Sequence, residues 1–157
     1  MTKFVVDTNV AIVANRRSTH ADETCQLACA EKIVELTEQG IVIVDTIGLI
    51  VDEYGRALNH SGAPGLGDAF FKHVVNHQHG GKRVQRVCIT CTADDCRGFE
   101  ELPENSLDRS DRKFLAVAVV AGATILNATD SDWAEQTALV QQLCVEIEQL
   151  CPQHARK

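Results

Sequence analysis

The chain has 157 residues, 45% of them apolar, 24% charged and only 4% aromatic, and carries a formal net charge of −7. This is the length and balance of one globular domain, 1–157, with one core. The scarcity of rings leaves Val, Ile, Leu and Ala to fill that core, as they do where helices cover both faces of a sheet. The longest near-apolar run, 114–126, is too short to span a bilayer, and no N-terminal stretch has the form of a signal peptide, so a cytoplasmic protein is expected. Seven cysteines, an odd count without an export signal, argue against a disulfide framework and for reduced thiols. The acidic balance argues at first sight against a nucleic-acid partner.

In chain order, KFVVD (3–7) reads as a strand that stops on an acid, Asp7. ETCQLACAEKIVELTEQG (23–40) sets Leu27, Ala28, Ile33, Val34 and Leu36 at roughly helical spacing, with Gly40 as the stop. IVIVD (41–45) is a second strand. TIGLIVDEYGRALNHSG (46–62) returns to a period of 3.6, GAPGLG (62–67) is a loop, and DAFFKHVVNHQHGG (68–81) is a helix closed by Gly-Gly. RVCIT (86–90) is a third strand, and DDCRGFEELPENS (94–106) a short helix and a loop. SDRKFLAVAVVAG (110–122) is the clearest helix, with Ser110 as its cap and Gly122 just past its end. ATILNA (123–128) is a fourth strand, and the tail reads as a helix followed by a short edge strand within CVEIEQL (144–150). Strands alternate with helices throughout, which is the pattern of right-handed βαβ units around a parallel sheet of about five strands in an α/β fold.

In such sheets ligands bind beyond the carboxyl ends of the strands, and acids sit there. Asp7 closes the first strand; Asp130 and Asp132 follow the fourth. The helix from Ser110 runs antiparallel to the fourth strand, so its first turn brings Asp111 to the same edge. Helical phase sets Asp111 on one stripe with Phe114, Leu115, Ala118 and Gly122, facing inward. The same projection buries Ile47, Ile50, Val51, Tyr54 and Leu58, with Glu53 on the flank of that stripe and Asp52 turned to solvent. Each acid alone has an ordinary reading: Asp7 as the cap of the next helix, Glu53 as surface, Asp111 as a complement to the helix dipole, Asp130 in an Asx-turn. Together, crowded carboxylates repel unless a divalent cation or a raised pKa resolves the charge. An all-oxygen set points to Mg²⁺ or Mn²⁺.

FVVDTNV, IVDEYGRAL, DRSDRKFLAVAVVAG and ATILNATDSDW, in this order, resemble the PIN-domain nucleases over nearly the whole chain. The resemblance implies a three-layer α/β/α sandwich and an acidic metal site at Asp7, Glu53, Asp111 and Asp130, with Asn9, Asp108, Thr129 and Asp132 as accessory residues. It also implies hydrolysis of RNA to 5′-phosphate and 3′-hydroxyl ends, by a toxin of a toxin-antitoxin pair or by a housekeeping ribonuclease. A small antitoxin protein is the partner implied in the first case, and a homodimer is implied in either. The cysteine-bearing segment 86–107 departs from the most compact members of the family. Bound cations would offset the acidic balance. Arg16 and Arg17 are candidate substrate contacts; Arg56, Arg109 and Arg112 stand near the acids, as substrate contacts or as structural ion-pair partners. Lys82, Arg83 and Arg86 precede the third strand, at the opposite edge, and read as a solvated turn.

Cys88, Cys91 and Cys96 look like a zinc knuckle but alternate between faces of an extended segment and lack a second ligand pair, so no metal role is expected of the thiols. His73 and His77 read as solvated residues near a helix end. Three rival readings use the same edge. A haloacid-dehalogenase-like phosphatase needs an acid where Asn9 stands, a receiver-type phosphoacceptor needs a lysine after the last strands, and a PIN-fold binding module would not use the four acids for catalysis.

Overall fold

A computed structural model describes residues 1–18 and 20–153. Its strands β1 (Lys3–Val6), β2 (Ile41–Asp45), β3 (Val84–Val87), β4 (Thr124–Asn127) and β5 (Ile147–Gln149) form a five-stranded sheet in the order β3-β2-β1-β4-β5. Every pairing is parallel. The central strands are apolar on both faces: Val5, Val6, Val42, Ile43, Val44, Ile125 and Leu126 are wholly buried. Successive side chains point to opposite faces, so such runs require cover on each side.

That cover makes three layers, α/β/α. Helices α1 (Thr8–Ala14), α2 (Glu23–Gln39) and α4 (Leu66–His77) pack on one another. Helix α5 (Arg112–Ala121) lies along β1, β2, β3 and β4, and α3 (Leu49–Ala57) touches α5, α1 and α4. Two short helices, α6 (Asp132–Glu135) and α7 (Thr137–Gln142), lead into β5. The approach of α1 to α4 needs Gly67, because a Cβ there would meet the Ala11 carbonyl oxygen at 2.1 Å. Gly122 ends α5 in the left-handed region at φ 65°, where glycine carries no steric penalty.

Several sequence expectations are corrected. The third strand is Val84–Val87 rather than 86–90, because its register pairs Val42 with Val84 and Asp45 with Val87. Residues 94–106 form turns rather than a helix, with a Cys91–Phe99 bridge; backbone carbonyls there turn inward to guanidinium groups instead of to an amide ladder. Ser110 does not cap α5. Asp111 holds the cap position without a side-chain cap bond, while the Ser110 hydroxyl donates to Asp108 at 2.6 Å. Helix α4 begins two residues earlier than expected, because the Asp68 carboxylate reaches back to accept from the amide of Gly65, its N-cap residue, at 3.0 Å. The predicted tail of helix then edge strand is present in α7 and β5; residues 154–157 lie outside the described set.

The thiols also depart from expectation, since Cys25 of α2 is disulfide-bonded to Cys151 beyond β5. Folding brings together two cysteines 126 residues apart, a proximity that sequence spacing cannot reveal. His73 is half-buried rather than solvated: its ring lies 4.8 Å from that of His77, and its Nε2 is buried without a hydrogen-bond partner among the described residues. Burial and the neighbouring His77 hold its pKa below the usual value. No helix among the described residues is long and apolar enough to cross a membrane.

Two strands end on an aspartate, and the fold gives the two acids different work. Asp45 is buried and caps α3, accepting the amides of Gly48, Leu49 and Ile50 at 2.9 Å each. Asp7 sits at the N-cap position of α1 and makes no cap bond. Asp45→Ala orphans three amides, so it should destabilise the protein by about 2 kcal/mol or more. Asp7→Asn should leave the urea midpoint nearly unchanged, and parallel urea titrations check the contrast.

Candidate active site

Strand order places the site. From β1 the chain builds outward through β2 and β3, then returns to add β4 and β5 on the other side of β1. The order reverses between β1 and β4, and the crevice beyond their carboxyl ends is where α/β sheets bind ligands. Asp7 follows β1 directly, Asp130 lies three residues past β4, and Asp111 heads the helix that precedes β4. Their carboxylate oxygens lie within 4.8 Å of one another.

The first of these acids is the most tightly fixed. Asp7 is 5% exposed, its amide donates to the Leu126 carbonyl at 3.1 Å, and Trp133 Nε1 donates to Asp7 Oδ2 at 2.8 Å. Beneath it, the Tyr54 hydroxyl donates to the Val6 carbonyl at 2.5 Å. Asn9 ties α1 to the turn after β4: its Oδ1 accepts from the amides of Ala128 (2.8 Å) and Thr129 (3.2 Å), and its Nδ2 donates to Asn127 Oδ1 (3.0 Å). Asn127 in turn donates to the Asp130 carbonyl at 2.8 Å and to Gln149 Oε1 at 2.7 Å, and accepts from the Asp130 amide at 3.3 Å. Asp130 Oδ1 accepts from the Asp132 amide at 2.9 Å, the Asx-type turn expected of that acid. The backbone of 127–130 is thus set by side chains from α1 and β4, with Gln149 of β5 holding the Asn127 side chain.

Glu53 is close to this group but differently engaged. It is half-buried on α3 and accepts from the Thr8 hydroxyl and from Lys113 Nζ, the latter at 2.8 Å. Lys113 is buried and also donates to the Ser110 carbonyl. The four-acid set of the sequence reading is therefore three converging carboxylates plus a Glu–Lys ion pair at their side. Asp108 is exposed, and bonds from Ser110 keep its carboxyl below the usual carboxylate range. Asp132 and Thr129 flank Asp130 in the same turn.

The arginines separate. Arg112 is buried and donates to the carbonyls of Leu107 (3.2 Å), Asp95 (2.7 Å) and Asn105 (3.3 Å). It organises the 95–107 stretch through these carbonyls, a structural role of the kind the sequence left open beside substrate contact. Arg109 pairs with Asp95 at 2.9 Å. Arg17 reaches Asp68 at 3.9 Å, and Arg16 lines a groove with Glu23, Gln26, Leu27 and Leu66. Both lie past the far end of α1, ~12 Å along its axis from Thr8 at 1.5 Å per residue, so the structure does not bring them to the carboxylates. Arg56 is exposed on α3, three residues beyond Glu53. Sequence reading missed Trp133, Asn127 and Lys113. The one available signal was a lysine and an arginine opening an otherwise apolar helix.

The electrostatics follow from burial. Burial pushes the Asp7 carboxyl up to about 7, with Asp130 and Glu53 adding repulsion and the Trp133 bond opposing the rise. Burial and the charges of Asp7 and Asp130 raise Asp111 strongly as well. An all-oxygen set of two buried carboxyls that hold protons for want of positive charge and a third, half-buried one fits a hard divalent cation, Mg²⁺ or Mn²⁺. Compared with family models, curated proteins and solved structures, the chain matches none.

An acid whose pKa is raised on folding stabilises the fold below its unfolded value, and that contribution is lost as pH rises to the folded value. In chelator, stability should therefore fall between about pH 4 and pH 7, at up to about 1.4 kcal/mol per pH unit for each retained proton. Asp111→Asn should flatten that slope and, at neutral pH in EDTA, match or exceed wild type by ~1 kcal/mol. Saturating Mg²⁺ should reverse the order, since a cation that binds only the folded state stabilises by mass action and the variant lacks a ligand. Thermal melts across pH in the two buffers check both points; equal destabilisation in EDTA and Mg²⁺ would make Asp111 a structural group.

Proposed function

We propose that this chain is a ribonuclease of the PIN type that hydrolyses phosphodiester bonds with Mg²⁺ or Mn²⁺, leaving 5′-phosphate and 3′-hydroxyl ends. The observation that carries the reading is the convergence of Asp7, Asp111 and Asp130 at the crevice between β1 and β4. RNA as the substrate, a small antitoxin as a partner and a homodimer rest on the resemblance of the four sequence segments to that family.

In this reading Asp7, Asp111 and Asp130 hold the cation. When bound, it supplies acidity that makes water nucleophilic near neutral pH and positive charge for the phosphodiester oxygens. The protein's own groups do the rest. Trp133 fixes the rotamer of Asp7 and favours its ionised form. Asn9 and Asn127 hold the 127–130 turn so that Asp130 faces Asp7. Lys113, kept in place by Glu53 and the Ser110 carbonyl, is a buried cationic side chain that offsets the charge of Glu53 beside the acids. Glu53 then acts by positioning Lys113 and Thr8 and by adding negative potential. The phosphatase rival lacks the acid it needs two residues after Asp7, where Asn9 instead bonds the turn after β4.

Asp7→Asn should lower cleavage of mixed RNAs by at least a hundredfold while retaining the fold. End-group analysis of products, with and without added Mn²⁺, checks the chemistry. Wild-type turnover in a clean preparation of the variant, or undiminished cleavage in EDTA, would sink the proposal; metal-dependent RNA binding without cleavage would favour a non-catalytic binding module. Trp133→Phe removes the donor to Asp7, so Mn²⁺ affinity should fall roughly tenfold and the acidic limb of the pH–rate profile should move to higher pH. Calorimetric titration measures the first effect and initial rates the second.

A further inference from the structure

Between α2 and the chain beyond β5 the fold gathers a second set of ligating side chains, of different chemistry. Cys25 and Cys29 stand one helical turn apart on α2 and therefore on the same face. Cys151, two residues beyond β5, comes to meet them, and all three side chains are buried. The three sulfur atoms lie within 4.8 Å of one another. Cys25 and Cys151 are joined as a disulfide, while Cys29 Sγ remains a thiol 3.9 Å from Cys151 Sγ. A disulfide needs two sulfurs, and this site has three.

We propose that Cys25, Cys29 and Cys151 form a zinc site that becomes available when the Cys25–Cys151 bond is reduced, so that bond and metal are alternative fastenings of the C-terminal segment to α2. The geometry and the donor chemistry agree. Zn²⁺–thiolate bonds of about 2.3 Å in a tetrahedron set sulfur atoms about 3.8 Å apart, close to the separation of Cys29 from Cys151. Soft thiolates select zinc over Mg²⁺ or Mn²⁺, which keeps this site distinct from the carboxylates. The Cys25-x₃-Cys29 pair falls in the spacing range of zinc ligands. The alternative is that Cys29 is a small apolar filler beside a structural disulfide.

The chemistry balances. A dithiol reductant transfers two electrons and two protons to the Cys25–Cys151 pair, the S–S bond breaks to two thiols, and the dithiol closes to its own disulfide. Zn²⁺ then displaces the protons of three thiols to solvent and takes their sulfurs as ligands. Either fastening holds the end of β5, whose Glu148 also pairs with Lys32 of α2 at 3.2 Å. The inference does not depend on the nuclease reading.

Co²⁺ is the spectroscopic probe, applied to the full chain after anaerobic reduction with a phosphine. One equivalent should give the near-ultraviolet thiolate-to-cobalt band, which equimolar Zn²⁺ abolishes. The band should be absent in the oxidised protein and unchanged in Asp7→Asn, which excludes binding at the carboxylates as its source. Cys29→Ser should lose it; oxidised Cys29→Ser keeps the Cys25–Cys151 bond, so circular dichroism of that form verifies its fold. In reduced wild type, Zn²⁺ should slow alkylation of Cys25, Cys29 and Cys151, mapped by mass spectrometry, while Cys88, Cys91, Cys96 and Cys144, which are exposed, react as before. Absence of the band, its survival in Cys29→Ser, or alkylation unaffected by Zn²⁺ would each overturn the proposal.

Discussion

Three carboxylates held within a few ångströms in a buried crevice are an unfavourable arrangement, and much of the surrounding structure exists to maintain it. Left alone, the three would separate, or Asp7 and Asp111 would stay protonated, because burial and the repulsion of neighbouring carboxylates disfavour their charged forms. The scaffold resists separation at each acid in turn. Asp7 is locked by the Trp133 indole and by its place at the end of a central strand. Asp111 is carried on a helix that opens with two buried cations, Arg112 and Lys113, each tied down by carbonyls. Asp130 is fixed through its backbone by Asn127, which is in turn held by Asn9 and Gln149. Holding the three acids together against their repulsion is the preassembly that the proposed cation site requires.

The same network explains why parts of the chain far from the acids bear on them. Strand β5 is short and at the edge, where three residues of pairing give little stability alone. Yet Gln149 of that strand supplies a partner for Asn127. The fastening of β5 to α2 through Cys25–Cys151 and Lys32–Glu148 therefore supports the turn that carries Asp130. On the opposite side, the 88–107 segment has no helix or named strand but is organised around the guanidinium groups of Arg97 and Arg112, which satisfy carbonyls that no strand or helix would. That segment anchors the start of α5 and so the position of Asp111.

Much of this was legible in the sequence because it depends on local periodicity. Alternating strands and helices, the glycine stops at Gly40 and Gly122, and the edge strand after the last helix are local patterns with local causes, and the structure contains them. The inward phase of Asp111 followed from helical geometry, and Asp111 is buried at the point where that phase puts it. Boundaries were less secure. The third strand slid by two residues at its start because register is set by a neighbouring strand, not by the strand itself. The helix expected within 94–106 failed because the side chains of Arg97, inside the segment, and of Arg112, beyond it, claimed carbonyls that a helix would have used.

The sequence by itself determined that acids would collect beyond the carboxyl ends of a parallel sheet, since strand direction, helix phase and residue type are all local properties. It could not tell KFVVD from IVIVD, two apolar strands ending on an aspartate. Only the tertiary structure separated them: Asp45 meets three amides of its own helix, while Asp7 meets the indole of Trp133, 126 residues away. Glu53 was likewise diverted to Lys113, 60 residues on, and Cys25 found Cys151 across 126. Such partners are chosen by the packing of the whole chain, because a buried polar group takes whichever partner the fold brings within hydrogen-bonding distance, regardless of separation along the sequence.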